Sequence, residues 1–188
     1  YPDPVLLNGL KEITKNYNPD PDLKKFKNII GVNLSNWKLT DYICKLSFKY
    51  KYSIIDIDNR SSNKKFHINN FKQDSVEEIL GFYKNYRILI TNRFHGSIFS
   101  LILSDAVIFF HEDPLKWPEK NSKGRDLFRS LNIENFVIRD LKILENINFF
   151  TNAVKSWDKN KDEIRKKISF FNSKKKSDFI ETIRLISK

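Results

Sequence analysis

An arginine and a histidine lie two residues apart, next to a glycine, at the point where an apolar run of the chain ends. The run ILIT is followed by NRFHG, which contains Arg93, Phe94, His95 and Gly96. The planar guanidinium of arginine matches the paired oxygens of phosphates and carboxylates. Histidine titrates near neutral pH and can give or take a proton, and glycine lets backbone amides approach a ligand closely. These residue types predict a site that binds an anion and transfers a proton.

Residues 93–96, which we call the box, also have a purely structural explanation. Arg93 could pair with a carboxylate, His95 could cap the next helix, and Gly96 could ease a turn. The local pattern favours neither explanation, so the decision depends on the elements that position the box.

Strand-like and helix-like segments alternate along the chain. Apolar runs predict five strands, at residues 28–34, 53–58, 87–91, 106–110 and 135–138. Helical spacing of apolar residues predicts helices at residues 39–50, 74–85, 97–104 and 122–132. Strands that are apolar on both faces are typical of a parallel sheet covered by helices. We therefore expect the α/β class, with a Rossmann-like doubly wound parallel sheet. Ligands bind such sheets at the carboxyl ends of the strands, which is where the box lies.

Polar residues between these segments predict a loop and several helix caps. The loop is expected over residues 59–70, with Asp74 or Ser75 capping the helix after it and Ser122 capping the helix at 122–132. The single cysteine, Cys44, lies within a helical pattern and is predicted to be a buried thiol. One cysteine excludes a disulfide framework and favours a reducing compartment.

The two ends of the chain differ from its middle. We expect residues 1–25 to be a linker from a missing N-terminal half, residues 26–140 to form the Rossmann-like domain, and residues 141–188 to form a helical C-terminal extension. Apolar residues at helical spacing predict a stripe in the extension that packs against the sheet, formed by Ile164, Ile168, Phe171, Ile180 and Leu185. The lysines around this stripe leave open a peripheral contact with an anionic membrane surface.

Composition limits the kinds of partner that the chain is expected to bind. The formal net charge is +11, which raises the question of nucleic acid. Lysine outnumbers arginine and is accompanied by much Asn, Ile, Phe and Tyr, a mix typical of an AT-rich genome, and the chain contains no recognisable nucleic-acid module. We therefore expect no nucleic-acid partner. No run approaches the roughly 20 apolar residues of a membrane span, so we expect a cytoplasmic location, with the inner face of the membrane as an alternative.

The box and its neighbours resemble a known family. An R-F-H-G box between an apolar strand and an apolar helix, followed by a short strand and then SKGRDLFRSLNI, is similar to the C-terminal half of the polysaccharide pyruvyl transferases. PDPVLL near the start, and the order of helix, strand and box, extend the resemblance from about residue 1 to about residue 140. It implies the donor-side half of a two-domain enzyme similar to GT-B glycosyltransferases.

The implied reaction transfers a pyruvyl group from phosphoenolpyruvate to a pair of sugar hydroxyls, giving a ketal on a polysaccharide, a glycolipid or another glycan precursor. It requires no metal or redox cofactor. The resemblance implies His95 as the catalytic acid and Arg93, Phe94 and Gly96 as part of the donor site, with Phe94 where leucine is more usual. Lys123 matches a basic residue that follows the fourth strand, and it could reach the donor phosphate or be a solvated surface group.

Some features depart from the family pattern. Asp105 and Ala106 stand where the family has a small or basic residue and a proline, and the exit of the first strand, NLSNW, has no basic residue.

His111, Glu112 and Asp113 suggest a metal site, but adjacent residues on one loop rarely converge on one ion, so we expect none. A glycosyltransferase that uses a nucleotide sugar and a non-catalytic binding domain remain the alternatives.

Overall fold

Five parallel strands form one sheet in the computed structural model, which describes residues 28–57, 76–112 and 122–186. The strands are β1 Ile29–Asn33, β2 Ser53–Asp56, β3 Ile88–Thr91, β4 Val107–His111 and β5 Val137–Ile138. Their order across the sheet is β2-β1-β3-β4-β5, so the chain winds outward from β1 in both directions. Every residue of β1, β3 and β4 is buried, as expected for strands covered on both faces. The α/β class and the parallel sheet are confirmed.

Helices connect the strands and continue after the last of them. They are α1 Trp37–Tyr50, α2 Val76–Phe82, α3 Phe94–Leu103, α4 Lys123–Ser130 and α5 Ile147–Ile186. Two short 3-10 helices, Glu134–Phe136 and Leu141–Glu145, lie on either side of β5. None of the described helices, including the 40-residue α5, combines the length and the apolar character that crossing a bilayer requires.

Two adjacent phenylalanines in β4 show that helices cover both faces of the sheet, because neighbouring side chains in a strand point to opposite faces. The ring of Phe109 stacks on that of Phe150 in α5, with centroids 6.0 Å apart. The ring of Phe110 lies 5.6 Å from that of Phe128 in α4. Tyr50 of α1 also stacks on Phe150, at 5.1 Å. Thus α1 and α5 cover one face, and α4 covers the other.

The first half of α5 belongs to the same core as the sheet. Phe150, Trp157 and Ile164 are buried in that core, and Ile168 packs against it. The predicted apolar stripe is therefore confirmed at Ile164 and Ile168, while the side chains of its later members lie outside those described. Contact of this helix with a membrane surface stays a prediction.

Two ion pairs tie α5 to the amino ends of strands. Arg87, immediately before β3, pairs with Asp158, and Asp105, shortly before β4, pairs with Arg165. The helix therefore passes the edge of the sheet opposite to the one where the box lies. This arrangement leaves the carboxyl edge to the loops that follow the strands.

The predicted elements agree with the structure, but some of their ends differ. Helix α1 begins at Trp37 instead of residue 39, and α2 ends at Phe82 instead of residue 85. Helix α3 begins at Phe94 instead of residue 97, so the box forms its first turn. Strand β5 is shorter than predicted because a 3-10 turn, Glu134–Phe136, takes up the residues before it. Cys44 is buried, as predicted. The predicted linker, the loop at 59–70 and the caps at residues 74 and 75 lie outside the described residues, and the proposed domain boundaries stay predictions.

Candidate active site

The carboxyl ends of β1 and β3 meet at the point where the order of the strands reverses. Asn33 and Thr91 are partners in the register of this parallel pair. The hydroxyl of Thr91 donates a hydrogen bond to the backbone oxygen of Asn33 at 3.0 Å, and the amide of Asn92 donates to the same oxygen at 3.2 Å. In a doubly wound sheet, this topological switch point is where ligands bind.

The box begins α3 directly after β3. Arg93 is the N-cap residue, with an extended backbone at φ −98° and ψ 123°, and its amide donates to Thr91 Oγ1 at 3.0 Å. Phe94, His95 and Gly96 form the first turn. First-turn amides have no acceptor within their own helix, and they carry the positive end of the helix dipole. The box therefore combines a guanidinium, an imidazole and helix amides at the switch point, which is a favourable site for an anion.

The side chains of the box differ in burial. His95 is exposed, Arg93 and Phe94 are half-buried, and Gly96 is buried. The ring of His95 lies 5.5 Å from that of Phe94 and 6.4 Å from that of Phe99. Because Arg93 occupies the N-cap position, His95 is not the capping residue that the structural explanation of the sequence required. Its exposed ring is accessible to a substrate.

Gly96 allows the first turn of α3 to pack closely on the end of β3. A Cβ at this position would lie 3.1 Å from Thr91 Oγ1 and 3.4 Å from the hydroxyl of Tyr83. Both contacts are with polar atoms of the switch point. The glycine thus holds the box close to the hydroxyl that also bonds to Asn33 and Arg93.

A pair of hydrogen bonds joins the loops that follow β1 and β3. The amide of Ser35 donates to Asn92 Oδ1 at 2.9 Å, and Asn92 Nδ2 donates to Ser35 Oγ at 2.8 Å. Asn92 immediately precedes Arg93. The pair therefore fixes the exit of β1 against the residue that leads into the box.

The polar side chains after β1 bond within the protein. Asn33 Nδ2 donates to the hydroxyl of Tyr83 at 3.4 Å, and Asn36 Oδ1 accepts from the amide of Lys38 at 2.9 Å. The oxygen Oδ1 of Asn33 is buried and has no hydrogen-bond partner in the described part of the chain. None of Asn33, Ser35 and Asn36 carries charge, so the positive charge of the box comes from Arg93 and the helix dipole.

A second charged cluster follows β4. The carboxylate of Glu112 is 1% exposed and pairs with Arg125 of α4, whose side chain is 13% exposed. It also lies 3.5 Å from Arg139, which is 51% exposed. Ser122 caps α4 by accepting from the amide of Arg125 at 3.2 Å, as predicted. The cluster holds the start of α4 at the carboxyl edge of the sheet.

Lys123 is the first residue of α4, and its side chain is exposed. Its position at the carboxyl edge is compatible with the predicted contact to a donor phosphate, and that role stays a prediction. His111 and Glu112 are buried, while Asp113 lies outside the described residues. Within the part that the structure describes, no group of three His, Cys, Asp or Glu residues could hold a metal ion. Glu112 instead forms ion pairs with Arg125 and Arg139.

Comparison with known families places the chain in one of them. A family model described as polysaccharide pyruvyl transferase matches residues 1–110, which include the first three strands, the box and most of β4. The chain belongs to this family. No curated protein and no solved structure matches the chain. Membership makes the protein a transferase whose family acts on polysaccharides. The predicted resemblance is confirmed over residues 1–110, while its extension to about residue 140, which includes Lys123, stays a prediction.

Sequence reasoning identified the box but missed what holds it. The supporting roles of Thr91 and Asn92 were not predicted, because single polar residues after a strand are common. Their partners, Asn33 and Ser35, are nearly sixty positions away in the chain, so the bonds follow from the strand order alone. The presence of Asn and Ser at the exits of two predicted parallel strands was the one available signal.

Proposed function

We propose that this pyruvyl transferase domain binds phosphoenolpyruvate at the switch point and transfers its pyruvyl group to two hydroxyls of a saccharide, forming a cyclic ketal. The observation that carries the proposal is the position of the box as the first turn of α3, at the carboxyl end of β3. We further propose that the domain is the donor-side half of a two-domain enzyme similar to GT-B glycosyltransferases, since its sheet is of the Rossmann-like type from which such enzymes are built.

Phosphoenolpyruvate carries a phosphate and a carboxylate, and the box offers complementary groups for both. The guanidinium of Arg93 can bind two oxygens of one anionic group through parallel hydrogen bonds. The amides of the first turn of α3 can bind the other group, with the helix dipole favouring negative charge there. Lys123, exposed at the start of α4, is the proposed second cation for the phosphate.

The chemistry requires an acid beside the methylene carbon of the donor. In the proposed reaction His95, as imidazolium, protonates that carbon, which leaves positive charge at the neighbouring carbon bearing the phosphate. A sugar hydroxyl adds there, phosphate departs, and the second hydroxyl closes the ketal. Of the two hydroxyl protons, one returns to His95 and the other leaves with phosphate. No electrons are exchanged with the protein, so the reaction needs no redox cofactor.

A glycosyltransferase that uses a nucleotide sugar is less well supported. Such an enzyme needs an acidic residue after a strand to hold the ribose hydroxyls. Glu112, after β4, is almost completely buried and pairs with Arg125 and Arg139. Its carboxylate therefore has a structural use that removes it from ribose binding.

The proposed function is tested by assaying wild type, His95→Gln and Arg93→Lys with phosphoenolpyruvate and a panel of methyl glycosides. Mass spectrometry detects the mass increment of a pyruvyl ketal on the sugar. We expect His95→Gln to bind the donor but to lose transfer by about 10²- to 10⁴-fold, the usual contribution of a general acid. We expect Arg93→Lys to weaken donor binding. Full transfer activity in His95→Gln would contradict the assigned role.

A further inference from the structure

Trp37 is a large aromatic side chain that the fold leaves exposed at the edge where the box lies. It is the first residue of α1, four positions after the end of β1, and 51% of its surface is exposed. The other large apolar side chains exposed in the described ranges, Ile143, Ile147 and Phe170, all follow β5. Single exposed apolar residues are common on protein surfaces, so the position of Trp37 carries the argument.

The hydrogen-bonded pair of Ser35 and Asn92 places Trp37 close to the box. Ser35 lies two residues before Trp37, and Asn92 lies one residue before Arg93. Two residues of chain span at most about 7 Å, so the backbone of Trp37 lies within about that distance of the pair. Trp37 and Arg93 therefore both lie close to the point where the loops after β1 and β3 meet.

Hydrogen bonds at the start of α1 fix the backbone around Trp37. Asn36 Oδ1 accepts from the amide of Lys38 at 2.9 Å, and the amide of Leu39 donates to the backbone oxygen of Asn36 at 3.1 Å. The ammonium of Lys38 lies 5.7 Å from the centroid of the indole ring. Ile43, further along α1, is completely buried and anchors the helix in the core. The backbone that carries the exposed ring is thus fixed.

We propose that Trp37 is the stacking platform for the acceptor sugar, a role that rests on the proposed function. The axial C–H groups of a pyranose form an apolar face, while its hydroxyls project from the rim of the ring. An indole buries the apolar face and leaves the hydroxyls unobstructed, since its contact surface is large and rigid. Ketal formation needs two free hydroxyls beside the donor. A tryptophan next to an anion-binding box, in a family that acts on polysaccharides, fits a saccharide ring best.

The test measures saturation transfer from protein to sugar by NMR, with phosphoenolpyruvate present in excess. The probes are the methyl glycosides of galactose, glucose and mannose. The proteins are wild type, Trp37→Ala, Trp37→Phe and the control Ile143→Ala, which truncates a similarly exposed apolar side chain outside the site. We expect saturation of pyranose C–H protons in wild type and Ile143→Ala, loss of at least half of the signal in Trp37→Ala, and recovery of most of it in Trp37→Phe.

Donor binding, measured by calorimetry on the same samples, separates two kinds of failure. Wild-type signals that persist unchanged in Trp37→Ala would overturn the platform, and so would the absence of sugar signals from a wild-type protein that binds phosphoenolpyruvate. Both results would leave the proposed donor site intact. A wild-type protein that binds no phosphoenolpyruvate would instead overturn the proposed function. Thermal unfolding of each variant shows that the truncated proteins are folded.

Discussion

Ser35 and Asn92 form two hydrogen bonds with each other. The backbone amide of Ser35 donates to Asn92 Oδ1 at 2.9 Å, and the side-chain nitrogen Nδ2 of Asn92 donates to Ser35 Oγ at 2.8 Å. This reciprocal pair joins the exits of the two central strands and fixes the residue that precedes Arg93. The geometry of the box therefore depends on two neutral side chains as well as on its own cationic residues.

We expect Asn92→Ala to lower the free energy of unfolding by about 1–3 kcal/mol, because it removes both hydrogen bonds that this side chain makes with Ser35. Ser35→Ala keeps the bond from its own amide to Asn92 and should cost about 0.5–1.5 kcal/mol. Urea denaturation measures both. Donor affinity should fall with Asn92→Ala, since the entry to the box is no longer fixed. An Asn92→Ala protein as stable as wild type would show that the pair contributes nothing.

Two glycines in the fold should respond differently to an added methyl group. A Cβ at Gly31 would lie 2.7 Å from the ring of Tyr86, which is itself buried, so Gly31→Ala should cost about 1–3 kcal/mol through overpacking. At Gly96 the nearest contact is 3.1 Å, and alanine favours the helix by up to about 1 kcal/mol. We therefore expect Gly96→Ala to change stability by less than about 1 kcal/mol in thermal unfolding. Equal losses at the two positions would contradict the packing described.

The charged cluster after β4 should be sensitive to loss of its central carboxylate. Glu112→Ala removes the carboxylate that pairs with the largely buried guanidinium of Arg125, and we expect a loss of about 3–5 kcal/mol. Arg139→Ala removes a pairing group whose side chain is half exposed, so about 0–1 kcal/mol is expected. Chemical denaturation of both variants checks the difference. A Glu112→Ala protein no less stable than Arg139→Ala would show that the carboxylate is dispensable.

Stability should fall at alkaline pH because of Tyr42 in α1. Burial, together with its hydrogen bond to Glu145, raises the pKa of Tyr42 above the usual value for tyrosine. A group whose pKa is higher in the folded than in the unfolded state contributes stability that is complete below its unfolded pKa, about 10, and is lost as the pH rises further. We expect the free energy of unfolding to decline above about pH 10. Tyr42→Phe should show a shallower decline, and an identical slope in both proteins would contradict this.

Much of the fold follows from short-range patterns in the sequence. The strands β1 to β4 consist mainly of apolar residues on both faces, as is typical of strands that are covered on both sides. The start of α3 was predicted too late because Arg93, His95 and Gly96 interrupt the apolar periodicity, although Gly96 is buried in the first turn. Helix α5 was predicted from the sequence, since Ile164 and Ile168 keep the helical spacing.

The site could be predicted only in part. The box was visible because Arg93 and His95 have distinctive chemistry and follow an apolar strand. The Ser35 and Asn92 pair was not, because it joins residues 57 positions apart and depends on β1 and β3 being neighbours. Trp37 carried no signal either, since a tryptophan at the start of an amphipathic helix is expected in the core as often as at the surface. These residues come together only because β1 and β3 are neighbours in the sheet, and the sequence alone does not give that strand order.

Calorimetric titration of phosphoenolpyruvate into wild type, Arg93→Ala and the control Arg129→Ala determines whether the box binds the donor. Arg129 lies on α4, is 61% exposed and pairs with Glu134, so its removal subtracts a guanidinium at a distance from the box. We expect saturable binding in wild type and in Arg129→Ala, and its loss in Arg93→Ala. Unchanged binding in Arg93→Ala, or tighter binding of a uridine nucleotide sugar than of phosphoenolpyruvate, would show that the box is not the phosphoenolpyruvate site.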